Sequence, residues 1–254
     1  MKIVVLMKQV PDTWGERKLD LATGWVDRGG DNVIDEINER ALEVALSYKD
    51  SDKSSEVIVM TMAPGDVSES LKKALAMGCD SAVHITDAAL AGADAAYTAA
   101  VLSAALKELG PDLVIAGNES TDGRGGIVPS MIAEHLDVAH LGMLGKITIT
   151  ETSVAGIRLL EDGFQDVHAT LPAVISVNES NPDARFPSFK GIMGAKKKPV
   201  STKSLAELSP TKAAGSTTIL NTTARPARTA GTKITDDGTA GEQLAEFLVS
   251  NRLI

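Results

Sequence analysis

Aromatic residues are scarce in this 254-residue chain: two Trp, two Tyr and four Phe make up 3% of it. So few rings exclude a binding face built from stacked aromatics. A flat cofactor or a nucleotide would have to rest on backbone groups and aliphatic side chains. Cysteine is nearly absent; Cys79 stands alone, which excludes an intrachain disulfide and suits a reducing compartment. Positive charge is also short, with a net charge of −9 and a pI of about 5.0, so nucleic-acid binding is not expected. The apolar run Ile3 to Met7 stops at Lys8, too short for the core of a signal peptide. No stretch approaches the roughly 20 apolar residues of a membrane span. A cytoplasmic protein without direct membrane insertion is expected. Catalytic constellations are missing as well. His84, His135, His140 and His168 lack metal-ligand spacing, and no carboxylates form a recognisable acid–base pair.

What is present is a large apolar fraction, 43%, arranged in alternating strand and helix patterns. Ile3 to Met7, Val57 to Met62, Ser81 to Ile85 and Leu113 to Ala116 read as short buried strands. Between them, Asn38 to Tyr48, the run from Asp66 to Met77, and Ala93 to Leu109 read as helices, the last two closed by Gly78 and Gly110. A further helix is expected from Pro129 to Leu136. This alternation predicts an α/β fold, a mostly parallel, doubly wound Rossmann-like sheet with helices on both faces. After His140 the pattern shortens to strands at Ile147 to Thr150, Ile157 to Leu160, Val167 to Thr170 and Ala173 to Val177, an expected antiparallel extension. The division expected is an α/β domain over 1–198 and an extended C-terminal arm over 199–254, rich in Thr, Ser, Ala and Pro, with a short helix from Gly241 to Val249.

Three segments carry chemistry. In the first, strand Leu113 to Gly117 feeds Asn118-Glu119-Ser120-Thr121-Asp122-Gly123-Arg124-Gly125-Gly126 and then a helix. A glycine-rich turn at a helix N-terminus offers free N–H groups to an anion. Neither the P-loop nor the dinucleotide spacing is present, so the turn reads either as a phosphate site or as a solvated connection. In the second, Asn181 to Met193 is broken by Pro182 and Pro187, holds Phe186 and Phe189, and is followed by Lys196, Lys197 and Lys198. It reads as a docking anchor, or as two rings folded into the core beside a solvated strand edge. In the third, Lys8-Gln9-Val10-Pro11-Asp12 ends the first strand, the ligand side of a parallel sheet or a plain Pro-Asp turn.

Together these segments resemble the beta subunit of electron transfer flavoproteins. The likeness is carried by Val4 to Asp12, Ala74-Leu75-Ala76-Met77-Gly78, Leu171-Pro172-Ala173-Val174, Arg185 to Met193, Ala195 to Lys198, and Arg228-Thr229-Ala230-Gly231. The resemblance implies a heterodimer with an alpha subunit. It implies FAD held mainly by that partner and a buried AMP in this chain. Electrons would come from acyl-CoA or other flavin dehydrogenases, as in fatty acid oxidation, and pass to a quinone-linked oxidoreductase. By position, the AMP contacts fall at Leu6, at Asp35, Glu36, Ile37 and Asn38, at Met62, and at Gly117, Asn118, Glu119, Ser120, Thr121, Asp122, Gly123, Arg124, Gly125, Gly126, Ile127 and Val128. Thr13 and Ile37 take positions that lie near the flavin in relatives. Arg185, Phe186, Phe189, Ile192 and Met193 fall in the recognition loop, with Phe189 at the anchor position.

The turn departs from the family pattern, which often follows the aspartate with Asn, Gln or Thr. Here Gly123-Arg124-Gly125-Gly126 keeps backbone donors and loses side-chain donors. That favours the AMP-holding type over the type that binds NADH and a second FAD and bifurcates electrons. A stand-alone adenine-nucleotide-binding regulator is a further alternative, but it would need neither the loop from Arg185 to Lys198 nor the arm.

Overall fold

The computed structural model describes residues 1–211, 214–223 and 225–254; Lys212, Ala213 and Ala224, within the expected arm, lie outside them. In chain order the strands are β1 (Lys2–Leu6), β2 (Gln9–Pro11), β3 (Asn32–Ile34), β4 (Glu56–Met62), β5 (Ser81–Ile85), β6 (Leu113–Gly117), β7 (Ala139–Ile149), β8 (Ser153–Leu160), β9 (Gly163–Thr170), β10 (Ala173–Val177) and β11 (Val200–Lys203). The helices are α1 (Glu36–Ser51), α2 (Ser68–Met77), α3 (Ala95–Leu109), α4 (Val128–Leu136), α5 (Phe189–Ala195), α6 (Leu205–Leu208) and α7 (Ala240–Ser250).

The main sheet runs β11-β5-β4-β1-β6-β10-β7-β8-β9, parallel from β11 to β7 and antiparallel at β8 and β9. Successive side chains of a strand point to opposite faces. Ile3 and Val5 therefore pack with Leu42 and Leu46 of α1 and Leu71 and Leu75 of α2. Val4 and Leu6 pack with Leu102 and Leu106 of α3 and Ile132 of α4 on the other face. Both faces being covered, the central strands are continuous apolar runs, which is why they were legible.

Order and direction decide where a ligand can go. The chain passes from β1 to β4 and β5 on one side, then returns to β6 on the other. The connections leaving β1 and β6 diverge, which opens a crevice at the carboxyl ends of these two strands.

Several elements differ from the sequence reading. β7 begins at Ala139, well before Ile147. It pairs parallel with β10 first and antiparallel with β8 afterwards, across irregular register and positive φ at Met143 (59°) and Lys146 (49°). A strand that changes partner and kinks midway has no single period to read. Val200–Lys203, expected to open the extended arm, is β11 and pairs in parallel with β5. Its side chains are mostly exposed, so the backbone ladder alone recruits it. α6 follows with a capping box between Ser204 and Glu207 and buries Leu208. One compact unit covers Met1–Leu220. A second, Asn221–Ile254, carries α7, none of whose residues is buried. Among the described residues, no helix is long and apolar enough to cross a membrane.

Candidate nucleotide-binding site

Lys8, just past β1, binds two elements at once. Its backbone N–H donates to Asn38 Oδ1 in α1 at 2.8 Å, and its Nζ reaches Asp122 Oδ1 at 2.7 Å and Ser120 Oγ at 3.1 Å in the turn after β6. The other Asp122 oxygen accepts the Arg28 guanidinium, and the Gly123 N–H donates to Oδ1 at 2.6 Å. The Asp122 side chain is 1% exposed. Burial alone would raise its pKa; the bond and charge of Lys8, with Ser120 and Arg28, more than offset that and hold the carboxyl well below the usual range.

Asp35 precedes α1 and is also buried. Its Oδ2 accepts the Thr121 N–H at 2.7 Å and the Thr121 hydroxyl at 3.0 Å, while Oδ1 has no partner among the described residues. Gly117 at the end of β6 allows α1 to come this close. A methyl there would stand 2.5 Å from Ile37 Cγ2 and 2.7 Å from Asn38 Nδ2. Asp35, Ile37, Asn38 and Gly117, marked from the sequence, thus form one packed seam between α1 and β6.

The rest of the turn is built to present backbone donors. Positive φ at Arg124 (47°) and Gly126 (62°) curls the chain before α4. Among the described residues, the N–H groups of Gly125, Gly126, Ile127 and Val128 find no acceptor. α4 starts at Val128 with no side-chain cap and with Pro129 in its first turn. Unpaired N–H groups and the positive end of a helix together favour an anion. One acid stands near: Glu119 Oε2 lies 3.8 Å from where a methyl on Gly126 would be. Two more buried oxygens at this end of the sheet, Asn118 Oδ1 after β6 and Thr61 Oγ1 in β4, have no partner among the described residues. Donors for a phosphate beside orphaned acceptors and a hydroxyl fit a nucleotide monophosphate.

The other marked residues take varied places. Leu6 and Met62 end β1 and β4 and pack on the α3–α4 face. Glu36 is exposed, as are Glu119, Gly123 and Arg124, while Ser120, Thr121 and Val128 are partly buried. Asp122 has both oxygens committed inside the chain. Sequence reasoning missed Arg17, Arg28 and Thr61. The Arg17 guanidinium donates to Thr121 O, and Arg28 NH1 donates to Gln9 O at 3.1 Å. Nothing local marks these arginines, because their partners in the turn after β6 lie 104 and 94 positions away. Cys79 is fully buried, its thiol pushed up to about 12 by burial, which leaves it inert.

The docking segment is more ordered than a loop. Ser188 caps α5, its Oγ accepting the Gly191 N–H at 3.0 Å. Gly191 lets α5 lie on α2, since a methyl there would stand 2.2 Å from Ala76 O. Phe186 and Phe189 are 95% and 82% exposed, and Ile192 and Met193 about half exposed, so the rings are outside the core. Arg185 points inward. Its Nε and NH2 fork onto Glu43, each at 2.8 Å, and NH1 reaches Asp50 at 2.8 Å. The Glu43 bonds outweigh burial and raise the guanidinium pKa. Lys198 also turns in, donating to Leu75 O at 2.8 Å near the end of α2.

A doubly wound, mostly parallel sheet with free backbone donors in the turn beside its β1/β6 crevice places the chain in the Rossmann-like α/β class. The electron transfer flavoprotein domain profile matches residues 23–208. The chain is 47% identical over 263 residues to the "Electron transfer flavoprotein subunit beta" of Mycobacterium bovis, covering 99% of each chain. The Mycobacterium leprae protein of that name is 46% identical with the same coverage. "Caffeyl-CoA reductase-Etf complex subunit CarD" of Acetobacterium woodii is 37% identical over 257 residues, 98% of this chain and 97% of that one. The chain belongs to the electron transfer flavoprotein family, as a beta subunit.

Proposed function

We propose that this electron-transfer subunit pairs with an alpha subunit and holds AMP in the β1/β6 crevice. FAD sits mainly in the alpha subunit and supplies the redox chemistry when bound. Electrons arrive from acyl-CoA or other flavin dehydrogenases and leave to a quinone-linked oxidoreductase. The observation that carries the AMP reading is the run of four N–H groups from Gly125 to Val128 without an acceptor among the described residues, in a turn that Asp35 holds at Thr121 with one oxygen while its Oδ1 stays orphaned. In this reading the N–H groups take the phosphate, Asp35 and Asn118 take hydroxyl or amino donors, and Leu6 and Met62 form the apolar wall. Asp122 holds the turn in shape rather than touching the nucleotide. The exposed Phe189, carried on a capped helix, is the anchor for dehydrogenases.

The test is co-expression with the cognate alpha subunit, followed by an absorbance spectrum and mass analysis of released small molecules. The heterodimer should release one AMP and one FAD, and this chain alone should be nearly colourless. A heterodimer that releases no adenosine monophosphate, or NADH in its place, would overturn the AMP assignment. A yellow, FAD-saturated isolated chain would overturn the placing of the flavin.

A further inference from the structure

Between β2 and β3 the chain makes an excursion over residues 12–31. Leu19 pairs with Val26, the Asp20 N–H donates to Trp25 O at 2.9 Å, and the Asp27 N–H donates to Lys18 O at 2.9 Å. Most of its side chains are exposed, so it has little core of its own and its position is set where it touches the rest of the fold. It touches on two sides. On one, Arg17 donates to Thr121 O and Arg28 pairs with Asp122, both past the end of β6. On the other, the Trp25 ring lies on Gly92, past the end of β5; a methyl on Gly92 would stand 2.3 Å from Trp25 Cζ2. In the sheet, β4 and β1 lie between β5 and β6. A segment fastened beyond both outer strands crosses the carboxyl ends of the two inner ones, where Thr61, Met62 and Leu6 stand.

We propose that residues 12–31 are a strap over the nucleotide crevice, fastened by Arg28 to Asp122, and that the strap must lift for AMP to enter or leave. The proposal rests on the AMP reading of the site. Its fastening suits a reversible device: the Arg28 side chain is 43% exposed and can rehydrate, while the buried Asp122 carboxylate keeps Lys8 and the Gly123 N–H as partners when Arg28 leaves. Asp122 is shared between the strap and the turn through Gly123. Lifting the strap and reshaping the phosphate turn are therefore linked.

A gate and a binding contact differ in kinetics. Loosening a gate speeds entry and exit together, whereas losing a contact speeds exit alone. The experiment uses the heterodimer, with radiolabelled AMP added to nucleotide-stripped complex for association and chased with unlabelled AMP for release. Arg28→Ala should raise both rates by about tenfold, the scale of one charge-assisted hydrogen bond, with a smaller change in Kd. Trp25→Leu, which frees the opposite side, should act in the same direction, and Arg28→Lys should fall between wild type and Arg28→Ala. Faster release with unchanged association, or no change in either rate, would overturn the strap while leaving the AMP site standing. A wild-type complex that binds no AMP would overturn both readings.

Discussion

Lys8 and Asp122 lie 114 positions apart in the chain and 2.7 Å apart in space, Nζ to Oδ1. The pair joins the carboxyl end of β1 to the turn after β6, across the place where the sheet changes direction. Because the Asp122 carboxylate is enclosed and also takes Arg28, it fixes the turn from inside and takes up only the Gly123 N–H of its backbone.

Stability should therefore carry an acid limb due to Asp122. Its carboxyl pKa is depressed in the fold, against about 3.9 when unfolded. The stabilisation is fully present above about pH 4 and lost as pH falls through and below that value toward the folded pKa. Asp122→Asn should flatten this limb. At neutral pH it should cost about 1–3 kcal/mol, because Lys8 and Arg28 are partly exposed and can rehydrate. Thermal melts of the heterodimer from pH 3 to 7 would check it; an acid limb unchanged in the variant would contradict the assignment.

Gly125→Pro removes one of the free N–H groups, and Gly126→Pro also forbids the observed φ of 62°. Both should release AMP and lower the melting temperature of the complex, since a ligand bound only to the folded state stabilises it by mass action. Arg124→Ala should matter less, its side chain being exposed. Mass analysis of the purified variants is decisive: full AMP occupancy in both proline variants would exclude this turn.

Phe189 and Arg185 share a segment and should fail differently. Phe189→Ala should leave the melting temperature, flavin spectrum and AMP content nearly unchanged, as expected for a ring 82% exposed. In dehydrogenase assays it should raise the apparent KM by roughly 30- to 1000-fold, the cost of losing a central aromatic anchor. Arg185→Ala should instead destabilise the fold by about 1–3 kcal/mol, because it strips a bidentate partner from the mostly buried Glu43. Wild-type kinetics for Phe189→Ala would sink the docking role.

Truncation after Leu220 should remove the unit Asn221–Ile254 and leave the sheet-bearing unit folded. The α7 side chains Leu244, Phe247 and Val249 are exposed, so the segment should gain order on the alpha subunit. Circular dichroism of the truncated chain should keep its α/β signature while heterodimer affinity falls. Unchanged affinity would end the assembly role.

The sequence determined what depends on neighbours along the chain. Strands covered on both faces, such as Leu113–Gly117, had to be apolar throughout, and helices such as α3 carried their period and their stop glycine. The curled turn before α4 and its free backbone donors were legible because glycine and a helix start are both local signals. Tertiary structure decided what depends on distant partners. Arg185 and Phe189 fall in the same expected recognition loop, yet Arg185 is held by Glu43 and Asp50 while Phe189, four positions on, is exposed. Val200–Lys203 becomes a strand only because the edge of β5 offers it a ladder. Arg28 gains its meaning only when folding carries it to Asp122, 94 positions away. Local backbone preference and side-chain periodicity act over a few residues and leave a trace in the sequence. Ion pairs and edge pairing act across the chain, and which partners meet is fixed only by how the strands are arranged in the sheet.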